Sequence, residues 1–389
     1  MAPVRVLCVG AGAMGRAWLR VLQDSAEAEL VGVVDLDPAV AREAVVGLGR
    51  PGLPFGTDLL ALAADTGAEA VVDVTVPAAH HPVTTAALFA GLPVLGEKPA
   101  AQTLAQALSL AATAEVTGEL FMVSQSRRWN PQVFALRAMA RELGTIGTMS
   151  HEFFRAPRFG GFRDRMAHPL LVDMAIHPFD TARFLLDAEP VAVNCQEWNP
   201  SWSWYAGAAS ASALFEMEGG ARFAYNGSWC APGAETSWNG EWRISGERGS
   251  ARWDGEREPE LRAEPAEPAS GHSPYPVAAG GLAGALEAFC GALRAGGGAG
   301  GGGRQVGIRP MGEVHENAMS LAMVEAAVES AANGGRRVLL DAVLEHAHAS
   351  ALSAESHPAV REALKSWPTT LAALAPRAGA PRGGVGGSP

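Results

Sequence analysis

The first 125 residues alternate short apolar runs with Ala- and Leu-rich stretches, and a glycine cluster stands at the first junction between the two. The runs are 4–9 (VRVLCV), 30–35 (LVGVVD), 70–75 (AVVDVT), 92–95 (LPVL) and 120–124 (LFMVS). Between them Met14–Gln23, Thr57–Asp65 and Leu104–Val116 have helical spacing. Strand, helix, strand at this rhythm predicts βαβ units and a parallel sheet buried on both faces. The first run leads into Gly10-Ala11-Gly12-Ala13-Met14-Gly15, a G-x-G-x-x-G pattern in the strand-to-helix context it requires. Glycines there let the chain turn tightly and let a pyrophosphate reach the helix N-terminus, where free amides and the dipole attract it. The second run ends at Asp35, twenty residues past Gly15, where a carboxylate can accept from both ribose hydroxyls. The expectation is an N-terminal Rossmann domain, a doubly wound parallel sheet that binds a dinucleotide. Asp35 repels a 2′-phosphate and Leu36 offers no donor, so NAD is favoured over NADP; Arg42 is the nearby group that argues the other way.

After residue 125 the texture changes. Segments 191–198, 210–217, 221–229 and 238–244 are rich in Trp, Phe and Tyr with turn residues between them. They predict a second, α+β domain with a large open, mainly antiparallel sheet. The expected organisation is 1–125 for the first domain, completed by a helix near 313–332, then 126–310 for the second. Residues 341–389 form a C-terminal extension and tail. Asp254–Tyr275 reads as a surface loop, Ala295–Gly303 as a flexible connector and Pro376–Pro389 as a frayed end. Seven of the ten tryptophans fall between Trp198 and Trp253. Indoles stack on sugar C–H faces, but most of these are better read as a sheet face buried against helices or a partner subunit. An exposed Trp-rich sheet would favour a homodimer or homotetramer.

Composition narrows the partners. The chain holds 41 acidic and 30 basic residues, net −11, so a nucleic-acid backbone is not the expected ligand. Four scattered cysteines form no CxxC pair and point to neither a zinc cluster nor a disulfide framework. An apolar strand begins within four residues of the start, and no apolar run is long enough to span a bilayer. A cytoplasmic protein acting on small molecules is expected, with no membrane partner and no metal.

Two further elements carry chemistry. Gly96-Glu97-Lys98-Pro99 follows the fourth long run, where ligands of parallel sheets sit. A lysine there can hold a substrate hydroxyl and tune its charge. Only Lys98 and Lys365 are lysines among the 30 basic residues. In Asp173-Met174-Ala175-Ile176-His177-Pro178-Phe179-Asp180, a helix would put Asp173 and His177 one turn apart. A carboxylate beside an imidazole raises its basicity and fixes its orientation, as a general base needs. The competing reading is an ordinary surface pair.

Together these pieces resemble the Gfo/Idh/MocA oxidoreductases, named for glucose-fructose oxidoreductase, inositol dehydrogenase and a rhizopine-catabolism protein. The resemblance runs from Val4 to about Leu340. It rests on Gly10–Gly15, Glu97-Lys98-Pro99, Asp173-x-x-x-His177 with Asp180, Val76-Pro77-Ala78-Ala79-His80-His81, and Arg128-Trp129-Asn130-Pro131. Two departures stand out: Ala78 where the family often has Asn, and Met166-Ala167-His168 near the place of a glycine triplet. The resemblance implies hydride transfer between a nicotinamide and a secondary alcohol or ketone of a sugar, aminosugar, cyclitol or glycoside. Lys98 would contact nicotinamide and hydroxyl, His177 would exchange the hydroxyl proton, and Asp173 would orient both. Gly10, Gly12, Ala13, Met14, Gly15, Asp35, Pro77, His81, Glu97, Lys98 and Arg128 would bind the cofactor. Trp129, Arg155, Arg163 and His168 are the further candidates for substrate contact, with His151 and Arg165 behind them. Two alternatives remain within the family: glycoside cleavage through transient oxidation, and a non-catalytic sensor of dinucleotide.

Overall fold

The computed structural model describes residues 2–264, 280–296 and 310–375. Two compact units emerge. The first contains residues up to 126 together with the described parts of 280–318 and 345–375. Its sheet is built from β1 (Val4–Val9), β2 (Ala28–Val34), β3 (Phe55–Gly56), β4 (Ala70–Asp73), β5 (Val94–Glu97) and β6 (Phe121–Ser124). All five pairings are parallel and the order is β3-β2-β1-β4-β5-β6, so the chain reverses its direction of progress across the sheet between β1 and β4. The helices between strands are α1 (Ala13–Asp24), α2 (Pro38–Gly47), α3 (Leu59–Thr66), α4 (Pro77–Phe89) and α5 (Leu104–Thr117). Val6, Leu7, Cys8, Val71, Val72, Val94 and Leu95 are fully buried, as strands covered on both faces require. Helix starts follow local chemistry: Asp58 accepts from the amide of Ala61, and Thr103 from that of Gln106.

The second unit spans 127–264 and 319–344 of the described chain. It begins with α6 (Pro131–Glu142) and β7 (Ile146–Phe154), then α7 (Ile176–Leu186). The sheet continues through β8 (Pro190–Trp198), β9 (Ser210–Met217), β10 (Arg222–Ser228), β11 (Glu241–Gly246), β12 (Gly249–Trp253) and β13 (Glu260–Ala263). Helix α8 (Gly281–Arg294) belongs to the first unit, α9 (Val314–Ala332) is shared, and β14 (Val338–Leu339) closes the second sheet. Helices α10 (Leu340–Ala354), α11 (Pro358–Ser366) and α12 (Thr370–Leu374) end the described chain. Strand order is β13-β12-β11-β7-β10-β9-β8-β14, antiparallel throughout except for β7 with β10. One face of this sheet buries Phe215, Phe223 and Tyr225 against Phe179 of α7, with ring centroids 4.8, 6.2 and 5.3 Å away.

The expected loop at 254–275 needs correction: β13 pairs with β12 inside it, from Arg252–Glu260 to Gly249–Ala263. Residues 265–275 and 297–303, and the tail 376–389, lie outside the described residues. The tryptophans divide. Trp229, Trp242 and Trp253 are buried, while Trp198, Trp202 and Trp238 are exposed. No helix among the described residues is long and apolar enough to cross a membrane.

Candidate active site

In the first unit the switch point between β1 and β4 is where the sheet can receive a ligand at its carboxyl edge. Gly10 turns there with φ +95°, and a Cβ on it would lie 2.6 Å from the carbonyl oxygen of Val74. A Cβ on Gly15 would lie 2.0 Å from the carbonyl oxygen of Gly10, so these two glycines are fixed by packing. Gly12 differs. It precedes α1 as its N-cap, contributes no side-chain cap, and has nothing within 4 Å of the position of a Cβ. Ala13 and Met14 follow it in exposed positions. Asp35 accepts from the amides of Ala11 (2.8 Å) and Asp37 (3.0 Å), which holds its carboxylate beside the glycine loop. Leu36 is 91% exposed and Arg42 is exposed on α2. An uncapped helix start, an open face at Gly12 and a carboxylate just past the next strand fit a dinucleotide.

Lys98 follows β5, and its peptide bond to Pro99 is cis. Glu97 is turned inward. Its Oε1 accepts from the indole of Trp18 at 2.8 Å and its Oε2 from the amide of Lys98 at 3.1 Å. Burial pushes the Glu97 pKa up, against the pull of Trp18 and Lys98. The carboxylate therefore anchors the Lys98 turn to α1. Pro77 opens α4, and His80 rather than His81 reaches this turn. The His80 ring is buried, with Nδ1 2.8 Å from the carbonyl oxygen of Pro99 and Nε2 3.1 Å from that of Thr75. Asp73 is also fully buried and accepts from Thr75 and Thr84; burial raises its pKa, and His80 is foremost among the groups that lower it. His81, expected at the cofactor, instead donates from Nε2 to Ser109 Oγ at 3.0 Å, whose hydroxyl donates to Glu355 at 2.6 Å. Its place is among α4, α5 and the end of α10.

In the second unit Asp173 lies in a widened helical turn, Pro169–Ala175, with i to i+5 hydrogen bonding, and His177 lies in the first turn of α7. Pro178 explains the break: it lacks an amide, so it is tolerated in the opening turn of a helix and not further along. The two residues therefore straddle a change of helix type, and their spacing is not that of one regular α-helix. Single widened turns of this kind recur at functional sites. Arg163 donates from Nε to Asp173 Oδ2 at 2.5 Å. His177 is 8% exposed. Nearby Arg127 donates from Nη2 to the sulfur of Met174 at 3.6 Å. Burial lowers the Arg127 pKa to about 10, while Tyr225 and Asp173 oppose that shift. The buried Tyr225 hydroxyl has no hydrogen-bond partner among the described residues.

Several residues expected at the ligand also have protein partners. Arg128 is buried, with Nε 2.8 Å and Nη2 2.5 Å from the two oxygens of Asp180, and Ser320 donates to the same carboxylate at 2.7 Å. That pair braces the interior of the second unit. His151 is a core residue, stacked on Tyr225 (5.7 Å) and tilted against Trp242 (4.3 Å), so the expectation of substrate contact there is corrected. Arg155 pairs with Glu235 at 2.9 Å and with the carbonyl of Thr236 at 2.7 Å. His168 lies 2.6 Å from Glu197, Trp129 packs near Phe134, and Arg165 is exposed.

Asp73 and Arg127 were missed in the sequence, and His80 was named only within the stretch Val76–His81. A carboxylate closing the otherwise apolar AVVD strand was the available signal for the first. Known proteins share both units. A family model described as "Oxidoreductase family, NAD-binding Rossmann fold" matches residues 4–125, and one described as "GFO/IDH/MocA C-terminal domain" matches 137–252. The chain belongs to the Gfo/Idh/MocA family. An uncharacterized Sinorhizobium fredii protein is 31% identical over 264 residues, 64% of this chain and 72% of its own length. Inositol 2-dehydrogenase 1 of Saccharopolyspora erythraea is 34% identical over 197 residues, covering 49% of this chain and only 56% of that relative. Among solved structures, an Agrobacterium radiobacter oxidoreductase in complex with NAD+, L-tartaric acid and magnesium aligns with a TM-score of 0.73. It is 21% identical and covers 88% of this chain and 99% of its own. As a Gfo/Idh/MocA protein the chain is an oxidoreductase with an NAD-binding Rossmann domain, which agrees with the glycine turn and Asp35.

Proposed function

We propose that this chain is an NAD-dependent dehydrogenase or ketoreductase acting on a CH–OH group of a sugar, aminosugar, cyclitol or glycoside. The observation that carries the reading is the carboxylate of Asp173 and the largely buried imidazole of His177 at a widened helical turn, in a family with inositol 2-dehydrogenases among its members. Gly12 and the start of α1 would receive the pyrophosphate, and Asp35 the ribose, which favours NAD over NADP. When bound, NAD supplies the hydride acceptor or donor. His177 takes or returns the hydroxyl proton at a ring nitrogen. Asp173 orients the imidazole and the substrate. The Lys98 ammonium steadies negative charge developing on the reacting oxygen. Arg163 holds Asp173 in place, with Arg155, His168 and Trp129 as further substrate contacts.

A cytoplasmic homo-oligomer completes the reading, supported by four buried free thiols and by exposed Val191, Leu214 and Leu339 on β8, β9 and β14. The deciding experiment is an NAD+ reduction screen over cyclitols, hexoses, aminosugars and glycosides. Net NADH formation supports the dehydrogenase. Sugar release without it moves the reading to glycoside cleavage, and dinucleotide binding with neither outcome moves it to a sensor. Titration with both cofactors tests Asp35: NAD should bind tighter, and Asp35→Ser should narrow the gap.

A further inference from the structure

The chain is acidic overall, net −11, yet residues 155–168 hold Arg155, Arg158, Arg163 and Arg165 against the single carboxylate of Asp164. All lie in the second unit, and three of the four guanidiniums rest on aromatic rings. Arg158 lies 4.0 Å from the ring centroid of Trp204, Arg155 4.4 Å from that of Trp238, and Arg163 5.2 Å from that of Phe159. The rings form one cluster, with Trp229 and Tyr205 buried inside it and Phe159 and Trp238 exposed. Phe159 meets Trp238 at 6.1 Å and Trp229 at 5.7 Å, Trp229 stacks on Tyr205 at 5.9 Å, and Tyr205 meets Trp204 at 5.4 Å.

The arginines are unequally committed. Arg155 is paired with Glu235, and Arg163 uses Nε on Asp173. Arg158 and Arg165 are exposed and have no carboxylate partner among the described residues. The buried indole Nε1 of Trp229 also has no acceptor among those residues. Phe159 is 49% exposed and Trp238 is exposed beside it, so the cluster is open to ligand at these two rings. A guanidinium stacked on a ring keeps its N–H edge free for bidentate bonding to carboxylate or phosphate. Exposed aromatic faces beside it suit the C–H face of a polyhydroxylated ring. Through Arg163 this surface reaches the carboxylate of Asp173.

We propose that this arginine–aromatic surface is an anion subsite, so that the polyhydroxylated substrate carries a carboxylate or phosphate group. The word substrate rests on the dehydrogenase reading above; the subsite itself does not. Its test compares glucose with glucuronate and glucose 1-phosphate, and myo-inositol with its 1-phosphate. Calorimetric binding in the presence of NAD+ and NADH formation are measured for the wild type and for the double variant Arg158→Gln/Arg165→Gln. Both positions are exposed, and a thermal melt checks that the variant is folded. At least one anionic member should bind about tenfold or more tighter than its neutral parent, and added salt should erode the advantage. The double variant should lose most of that advantage while NAD affinity stays unchanged. The two kinds of anion in the panel identify which group is read. No anionic advantage, or an advantage undiminished in the folded double variant, overturns the subsite. NADH formed from a neutral polyol without anionic preference would remove the subsite and keep the dehydrogenase. Anion binding lost in the variant, with no NADH from any compound, would do the reverse.

Discussion

The imidazole of His80 holds the carbonyl oxygen of Pro99 at 2.8 Å from Nδ1, and it does so one residue beyond Lys98. Its other nitrogen meets the carbonyl of Thr75 at 3.1 Å. Both partners are carbonyl oxygens, which only accept, so the ring is held between two acceptors, with the carboxyl groups of Asp73 and Glu97 buried nearby. The ring thus ties the segment after β4 to the turn that carries Lys98. His80→Ala removes the ring from both buried carbonyls and should destabilise the fold by about 1–3 kcal/mol. His80→Gln, which keeps one donor group, should recover part of the loss. Denaturant melts of the three proteins check this, and equal stabilities would show that the contact contributes nothing.

The glycines of the first turn should separate by substitution. Gly10→Ala places a Cβ against Val74 at φ +95° and should cost about 1–3 kcal/mol of stability. Gly12→Ala meets nothing in the protein and should leave the melting temperature unchanged. It should still weaken NAD binding about tenfold, or about 1.4 kcal/mol, by filling the space a pyrophosphate needs. Fluorescence titration with NADH beside thermal melts would show both effects.

Acid sensitivity should trace in part to His151. Burial pushes its pKa from 6.5 down to about 3. Between those values the unfolded chain binds a proton that the folded chain refuses, so stability falls as pH falls from about 6.5. The slope approaches about 1.4 kcal/mol per pH unit. Burial lowers His81 in the same sense. Asp73 and Glu97, raised by burial, act oppositely: their contribution is lost as pH rises above the ordinary carboxylate range. His151→Gln should therefore flatten the loss between about pH 6.5 and about pH 5.5 relative to wild type, by about 1 kcal/mol in urea melts. Equal slopes would mean that His151 protonates without cost in the fold.

Much of this architecture was legible because its signals are local. Strand and helix periods, the glycine turn and Asp35 all act within a few residues of each other, and the parallel sheet follows from their order. The aromatic segments announced a second sheet, but not the strand at Glu260–Ala263, whose polar–apolar alternation, ELRA, is only four residues long and sits in a charged, Pro-rich stretch. Site residues were harder where long-range pairing decides. Arg128 lies beside motif residues in sequence, yet Asp180, fifty-two positions away, captures its guanidinium. His80 and His81 are adjacent and chemically identical; only the helical rotation of α4 sends one to Pro99 and the other to Ser109. His151 looked available in sequence because nothing local marks the Tyr225 and Trp242 rings that enclose it.

Lys98→Arg should expose what the lysine does. Arginine supplies 28 of the 30 basic residues, so a position needing only positive charge has a ready alternative. A guanidinium is larger and planar, and it should not reproduce a compact ammonium at the reacting oxygen. We expect kcat to fall at least about tenfold, equivalent to about 1.4 kcal/mol. Lys365→Arg is the control, since Lys365 sits on the exposed face of α11 paired with Glu362. Equal steady-state rates for the two folded variants would return Lys98 to the status of a charge at a strand end.

The most direct test of the dehydrogenase reading is the rate of NADH formation by His177→Ala, measured beside its NAD+ affinity with a substrate from the screen. Loss of a positioned general base should lower kcat by about 10²–10⁴ while NAD+ affinity stays close to that of the wild type. A folded His177→Ala protein that turns over at the wild-type rate, with an unchanged pH profile, would contradict the account.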